Sequence, residues 1–82
     1  MNIRKDTIPN NLKEYRVKSG YTQQQVSTML GFTNSVSLSH WESGKNIPGL
    51  INVLKISVLY KASVAELYKD LYETILSQQI NK

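Results

Sequence analysis

The stretch TQQQVSTMLGFTNSVSLSHWESG, residues 22–44, decides the fold of this 82-residue chain. Thr22 and Gln25 have the spacing of a capping box, which predicts that a helix begins at about residue 23. Val26 and Leu30 then recur at helical spacing, and Gly31 can adopt the left-handed conformation that ends a helix. The stretch therefore predicts a helix over about 23–30, followed by a tight turn.

A second helix is predicted after this turn, over about residues 34–43, with Thr33 or Asn34 as its capping residue. Leu38 and Trp41 share one face of it. The opposite face carries small or uncharged side chains with hydrogen-bonding ends and one side chain with methyl groups. These residues are Val36, Ser39, His40 and Ser43. Such a face is poor for packing and for catalysis, but it suits the reading of base edges in a DNA groove.

The composition is that of one small domain held together by packing alone. The chain has no cysteine, which excludes disulfides and cysteine-based zinc or redox sites. No apolar run approaches the roughly 20 residues that span a bilayer. The first ten residues, MNIRKDTIPN, lack the apolar core of a signal peptide. We therefore expect a soluble, cytoplasmic protein.

The charge is unevenly distributed along the chain. The formal net charge is +4, and residues 1–48 hold six basic side chains against three acidic ones, whereas residues 49–82 hold four against three. The excess favours an anionic partner, although a basic surface kept for solubility remains an alternative. Residues 1–8 are expected to form a basic N-terminal arm, in which Arg4 and Lys5 could reach a phosphate backbone.

Three further helices are predicted outside the opening stretch. Pro9 suits the first turn of a helix over about 9–19. Residues 49–60 form the most strongly apolar helix, and Ser63 with Glu66 repeats the capping-box spacing before a helix from about 64 to at least 76. We expect an all-α fold, a compact five-helix bundle. Its DNA-binding domain would span 9–68, followed by a helical extension over 69–82.

Catalytic chemistry has little support in the sequence. His40 is the only histidine, so it has no second histidine with which to share a metal ion. Ser37 is near it in sequence, but an exposed helix face offers neither a pocket nor an oxyanion hole. The four glycines form no phosphate-binding loop. We expect no enzymatic activity, no metal and no cofactor.

The anchors of the chain resemble the Cro/repressor-type helix-turn-helix family, often called the XRE family. The resemblance covers residues 12–68. It is carried by Leu12, Tyr15-Arg16, Gly20-Tyr21-Thr22-Gln23, Val26-Ser27, Leu30-Gly31-Phe32, Leu38 to Lys45, Pro48, Leu54 to Ser57, Leu59 and Glu66-Leu67-Tyr68. It implies a lambda-repressor-like bundle whose third helix enters the major groove of double-stranded DNA.

The resemblance also assigns roles to residues. Gln23 would contact a phosphate, Ser35, Val36 and His40 would face base edges with Ser37 at the margin, and Lys45 and Asn46 would hold the DNA backbone. Arg16 and Glu42 would form a structural salt bridge. The full DNA-binding set is Gln23, Asn34, Ser35, Val36, Ser37, Ser39, His40, Lys45 and Asn46.

Two features depart from the commonest pattern of the family. The turn between Gly31 and Leu38 is one residue longer, which affects the assignments from Asn34 to Ser37. No arginine or glutamine lies on the reading face, so specificity would rest partly on DNA shape.

The function implied is that of a bacterial or phage transcriptional regulator, in particular a repressor. The alternative is the antitoxin of a toxin–antitoxin pair, which would bind a partner toxin and regulate its own synthesis through DNA. The extension over 69–82 carries apolar residues that either complete the bundle or form a homodimer contact. These are Leu71, Tyr72, Ile75, Leu76 and Ile80.

Overall fold

The computed structural model describes residues 7–78, and within that range it is entirely helical. The all-α prediction is confirmed. The predicted arm residues Arg4 and Lys5 and the tail residue Ile80 lie outside the described range. The helices are α1 Leu12–Lys18, α2 Gln23–Met29, α3 Val36–Glu42, α4 Leu50–Tyr60, α5 Val64–Leu67 and α6 Lys69–Ser77.

One hydrophobic core joins the helices. Its largest fully buried side chains come from α1, α2, α3, α4 and α5. Partly buried residues, among them Ile8 and Phe32, pack against its edge. The buried apolar residues are Leu12, Val26, Leu30, Leu38, Trp41, Val53, Ile56, Tyr60, Ala62, Leu67 and Tyr68. Ser27 is fully buried among them.

Helix α1 begins at Leu12 and not at Pro9, so the predicted start was three residues too early. The reason lies in two asparagines. The Asn10 Oδ1 atom accepts the Leu12 N–H at 3.0 Å, and the Asn11 N–H donates to the Leu67 carbonyl at 2.8 Å. Because these groups bond outside the helix, residues 9–11 are not part of it, and Asn11 ties its start to α5.

Helix α2 has the predicted capping box. The Thr22 hydroxyl accepts the Gln25 N–H at 3.1 Å, and the Gln25 side chain accepts the Thr22 N–H at 2.8 Å. Gly31, with φ +92°, ends the helix, because its N–H and that of Phe32 satisfy the last carbonyls in a Schellman arrangement.

Helix α3 begins later than predicted. Its N-cap is Ser35, where Thr33 or Asn34 was expected, and its first residue is Val36. The Asn34 Oδ1 atom accepts the Val36 N–H at 3.0 Å, which holds residues 34–36 in a local turn and delays the helix. The longer loop after Gly31 is thus absorbed before α3.

Helix α4 is apolar on both sides. Its buried residues are Val53, Ile56 and Tyr60. Leu54 and Val58 are apolar residues of the same helix, but their side chains are 45% and 77% exposed. A helix that is apolar all round gives no sequence signal for which side faces the core.

The predicted fifth helix is divided in two at Tyr68, which has φ −123° and ψ 49°. The Asn11 side chain donates to the Glu66 carbonyl at 3.2 Å, and the Asn11 N–H donates to the Leu67 carbonyl. These carbonyls are therefore occupied by α1 and do not continue a helical ladder. The predicted five-helix bundle has six helices for this reason. No helix in residues 7–78 is long and apolar enough to cross a membrane.

Candidate nucleic-acid interface

Helix α3 is held against the core by one face. Leu38 is fully buried, and Trp41 is 7% exposed. The Trp41 ring meets Phe32 edge to face, with centroids 5.9 Å apart and an interplanar angle of 72°. Since Phe32 follows Gly31 directly, this contact joins the turn after α2 to α3 and fixes the angle between the two helices.

A two-point ion pair ties α3 to α1. The Arg16 Nε atom donates to Glu42 Oε2 at 2.6 Å, and Nη2 donates to Glu42 Oε1 at 3.1 Å. The Arg16 Nη1 atom also donates to the Tyr21 carbonyl at 2.9 Å. The hydrogen bond to Glu42 raises the pKa of the Arg16 guanidinium, against the opposing effect of burial. The pair that the family resemblance implies is therefore present, nearly shielded from solvent.

Gln23 joins this ion pair from the start of α2. Its Nε2 atom donates to Glu42 Oε1 at 2.9 Å, and the side chain is half-buried. The amide nitrogen carries two hydrogens, so one remains available after this bond. The sequence assigned Gln23 a phosphate contact but gave no sign of its bond to Glu42.

The outward face of α3 contains Val36, Ser39 and His40. Val36 is 54% exposed, and the other two are half-buried. At 100° per residue these positions lie roughly opposite Leu38 and Trp41. Within the described residues the side chains of Ser39 and His40 form no hydrogen bond or ion pair. This face is therefore free to contact a ligand without breaking an internal bond.

The other predicted reading residues, before and beside this face, differ in exposure and in hydrogen bonding. Asn34 is exposed, and its Oδ1 atom is used by the Val36 N–H. Ser35 and Ser37 are half-buried, and Ser35 makes no side-chain capping bond as N-cap of α3. Ser43, on the outward side, donates its hydroxyl to the His40 carbonyl at 3.1 Å.

Lys45 and Asn46 lie beyond the end of α3 and are both exposed. The Lys45 N–H donates to the His40 carbonyl at 2.9 Å, and the Gly44 N–H donates to the Trp41 carbonyl at 3.1 Å. This Schellman ending fixes the direction in which the chain leaves α3. Lys45 thus has a defined backbone position, and its ammonium group has no partner among residues 7–78.

Asn10 is a site residue that the sequence analysis missed. Its Nδ2 atom donates to the carbonyls of Ile8 at 3.0 Å, Trp41 at 3.2 Å and Glu42 at 3.4 Å. The side chain therefore satisfies carbonyls at the C-terminal end of α3. An asparagine two residues before Leu12 indicated a local cap, but no sequence signal indicated the bonds to α3.

The arrangement offers a helix face of small and uncharged polar side chains on a fixed support. Among residues 7–78 there is no group of three or more His, Cys, Asp or Glu side chains that could hold a metal ion. The tightly bonded groups, Arg16, Glu42 and Gln23, are engaged with one another. The geometry is suited to recognition of a surface by α3.

Comparison with known families agrees with this geometry. The family model described as helix-turn-helix matches residues 12–67, which is most of the chain. The chain belongs to the helix-turn-helix family. It is a Cro/repressor-type, or XRE-type, member, as the sequence anchors predicted. No curated protein and no solved structure matches the chain.

In this helix-turn-helix protein, α2 and α3 form the motif, and the turn runs from Gly31 to Ser35. The family is one of DNA-binding transcription regulators and not of enzymes. Helix α3 occupies the position of the recognition helix, the second helix of the motif. Helices α1 and α2 pack against it.

Proposed function

We propose that this helix-turn-helix protein is a sequence-specific DNA-binding repressor of bacterial or phage origin, acting in the cytoplasm. The observation that carries the proposal is the division of α3 into two faces. Leu38 and Trp41 are buried, whereas Val36 is exposed and the half-buried His40 side chain forms no hydrogen bond or ion pair within residues 7–78. A recognition helix needs this arrangement, because its reading residues must be free while its orientation is fixed.

Base reading is assigned to the outward face. The Val36 methyl groups suit the methyl of thymine, and the ring nitrogens of His40 suit purine edges in the major groove. Ser35, Ser37 and Ser39 offer hydroxyls that can donate or accept, and Asn34 retains its amide hydrogens. With no arginine or glutamine on this face, part of the specificity comes from DNA shape.

Backbone contacts are assigned to Gln23, Lys45 and Asn46. The second amide hydrogen of Gln23 remains available for a phosphate oxygen while the first bonds Glu42. Lys45 supplies a positive charge close to the end of α3, and Asn46 supplies an adjacent donor. Such contacts set the register of the protein on DNA and carry no base information.

A homodimer is proposed through α6. Tyr72, Ile75 and Leu76 are 52%, 40% and 56% exposed on this helix. Tyr72 and Ile75 line an apolar cleft of about 270 Å³, together with Leu71 and Pro48. A second copy covering this cleft would read a second half-site about 34–36 Å away, or a multiple of that distance.

Repression is tested with a reporter gene. The bound sequence is placed between promoter elements, and the protein is expressed from a separate inducible promoter. We expect reporter output to fall on induction, and not to fall with a scrambled sequence in the same place. A rise in output with the intact sequence would show an activator.

The second candidate is an antitoxin that binds a partner toxin. It is favoured by a second exposed apolar surface, on α4, where Leu50, Ile51 and Val58 are 70%, 63% and 77% exposed. A dimer joined through α6 leaves this surface uncovered. The neighbouring reading frame discriminates, since a small toxin-like gene next to this one favours the antitoxin.

A further inference from the structure

An apolar groove lies between α2 and α4, and none of its lining residues is assigned to DNA. Its cavity volume is about 380 Å³. Met29 from α2 is 49% exposed, and Ile51 from α4 is 63% exposed. We call this surface the α2–α4 groove. Its lining residues are Met29, Leu30, Ile51, Leu54, Lys55, Val58 and Leu59.

The outer side of α4 has the spacing of a helix-packing seam. Ile51, Leu54 and Val58 stand at positions i, i+3 and i+7, which follow one side of a helix. The inner side of α4 is already buried through Val53 and Ile56. A helix that is apolar on both sides is normally covered on both sides. The outer seam is therefore suited to a second helix lying along α4.

The charge around the groove is of one sign. Helices α2 and α4 together contain a single charged side chain, Lys55, and no carboxylate. Lys61 follows α4 directly and is exposed. The whole chain carries a net charge of +4. A partner with carboxylates flanking its apolar side complements this surface, whereas a basic partner is repelled.

The charge of the groove argues against a second copy as its occupant. In a two-fold dimer the same patch meets itself, so the Lys55 ammonium groups of both copies would be brought to the same contact. A convex ridge of side chains from a different helix fits between α2 and α4. The partner is therefore a different protein.

We propose that the α2–α4 groove binds an acidic amphipathic helix of a partner protein. The helix inserts apolar residues beside Ile51, Leu54 and Val58, and its flanking carboxylates meet Lys55. This is the helix-in-groove mode of recognition, in which apolar anchors at helical spacing provide affinity. It is a protein-binding function additional to DNA binding and does not depend on it.

The test uses the full chain and two synthetic helical peptides with the same leucine spacing. One peptide has glutamates flanking the leucines, and the other has lysines at those positions. Fluorescence anisotropy measures the affinity of each for the protein. We expect the glutamate peptide to bind at least about tenfold more tightly than the lysine peptide. Equal binding of the two peptides, or no binding of either, overturns the proposal.

Three variants locate the binding surface. Val58→Glu should lower the affinity for the glutamate peptide about tenfold or more, because it places a carboxylate in the apolar seam of α4. Val17→Glu is the matched control, since Val17 is 59% exposed on α1 and away from the groove. Lys55→Glu should reverse the preference between the two peptides. Loss of binding in Val17→Glu, or an unchanged preference in Lys55→Glu, overturns the assignment.

Self-association is measured on the same samples by sedimentation equilibrium. A dimer that is lost in Val58→Glu but kept in Val17→Glu would place a second copy in the groove and overturn the proposal. A monomer, or a dimer that persists in Val58→Glu, supports it. Circular dichroism of each variant confirms that the exposed substitutions leave the helices folded.

Discussion

The Arg16 guanidinium and the Glu42 carboxylate form a two-point ion pair that fixes the recognition helix to α1. The Nε–Oε2 distance is 2.6 Å, and the two side chains are 10% and 5% exposed. Gln23 adds a third bond to the same carboxylate. Helices α1, α2 and α3 are therefore joined at one carboxylate, and the orientation of α3 depends on it.

Glu42→Gln tests this dependence. The substitution removes the charge and leaves the shielded Arg16 cation without its partner, which costs about 3–5 kcal/mol of unfolding free energy. Urea denaturation followed by circular dichroism measures the loss. In the double variant Arg16→Met/Glu42→Gln the stranded cation is gone, so we expect a large part of the stability to return. Strictly additive losses would show that the two residues do not interact.

Gly44→Ala tests the packing at the end of α3. Gly44 has φ +81°, and an added Cβ atom would lie 2.6 Å from the Ile8 nitrogen and carbonyl oxygen. We expect the free energy of unfolding to fall by more than about 2 kcal/mol, because the strain of a left-handed alanine and the clash with Ile8 add to each other. Gly49→Ala is the control, since nothing lies within 4 Å of its added Cβ atom and its φ is −65°. Gly49→Ala should lower the free energy of unfolding by no more than about 1 kcal/mol. Equal losses of unfolding free energy in the two variants would contradict the close contact between Gly44 and Ile8.

Alkaline pH should weaken the fold through Tyr68. Burial raises the pKa of its hydroxyl from 10.0 to about 12. The folded state therefore keeps the proton that the unfolded chain loses first. The contribution of Tyr68 to the free energy of unfolding is fully present below pH 10. It is lost as the pH rises from 10 toward about 12. Tyr68→Phe should reduce this pH dependence, measured by urea denaturation across the range.

Tyr72→Phe serves as the control in the same series. The Tyr72 side chain is 52% exposed. Replacement of its hydroxyl by hydrogen should therefore leave the alkaline loss of stability in place. The Tyr68 hydroxyl has no hydrogen-bond partner among the described residues. Tyr68→Phe should therefore cost little stability at neutral pH. An unchanged pH dependence in Tyr68→Phe would contradict the assignment.

His40→Ala and Lys45→Ala should affect DNA binding in different ways. Loss of the His40 ring should change the preference at one or two base positions, by about 1–3 kcal/mol each. Loss of the Lys45 charge should weaken binding to all sequences alike and make the salt dependence shallower by about one unit of slope. Competition titrations against single-base variants of the site, repeated at several salt concentrations, separate the effects. A His40 variant with unchanged preference would remove that residue from the reading set.

Local signals in the sequence predicted the fold well. The capping boxes of Thr22 and Ser63 each involve residues three apart, so both helix starts could be read directly. The buried faces of α2 and α3 followed from helical periodicity. Features that depend on distant contacts could not be read. Asn11 bonds the carbonyls of Glu66 and Leu67, which lie 55 and 56 residues away beside the break in the last predicted helix, and no local pattern indicates this.

Part of the candidate site could also be predicted from the sequence. The outward position of His40 followed from its adjacency to Trp41, and the Arg16–Glu42 pair followed from the family resemblance. The start of α3 was placed too early because the Asn34 side chain forms a turn with the Val36 N–H before the helix begins. Both faces of α4 are apolar, so the sequence did not indicate which of them is exposed. The proposed α2–α4 groove lies on the exposed face.

The most direct test of sequence-specific DNA binding is selection of bound sequences from random duplex DNA by the purified full chain at one fixed salt concentration. We expect a defined sequence to be enriched over several rounds. For a dimer it should appear as two related half-sites about 10–10.5 base pairs apart from centre to centre, or a multiple of that spacing. If no sequence is enriched over bulk DNA, the protein does not read bases through α3, and the proposed function is wrong.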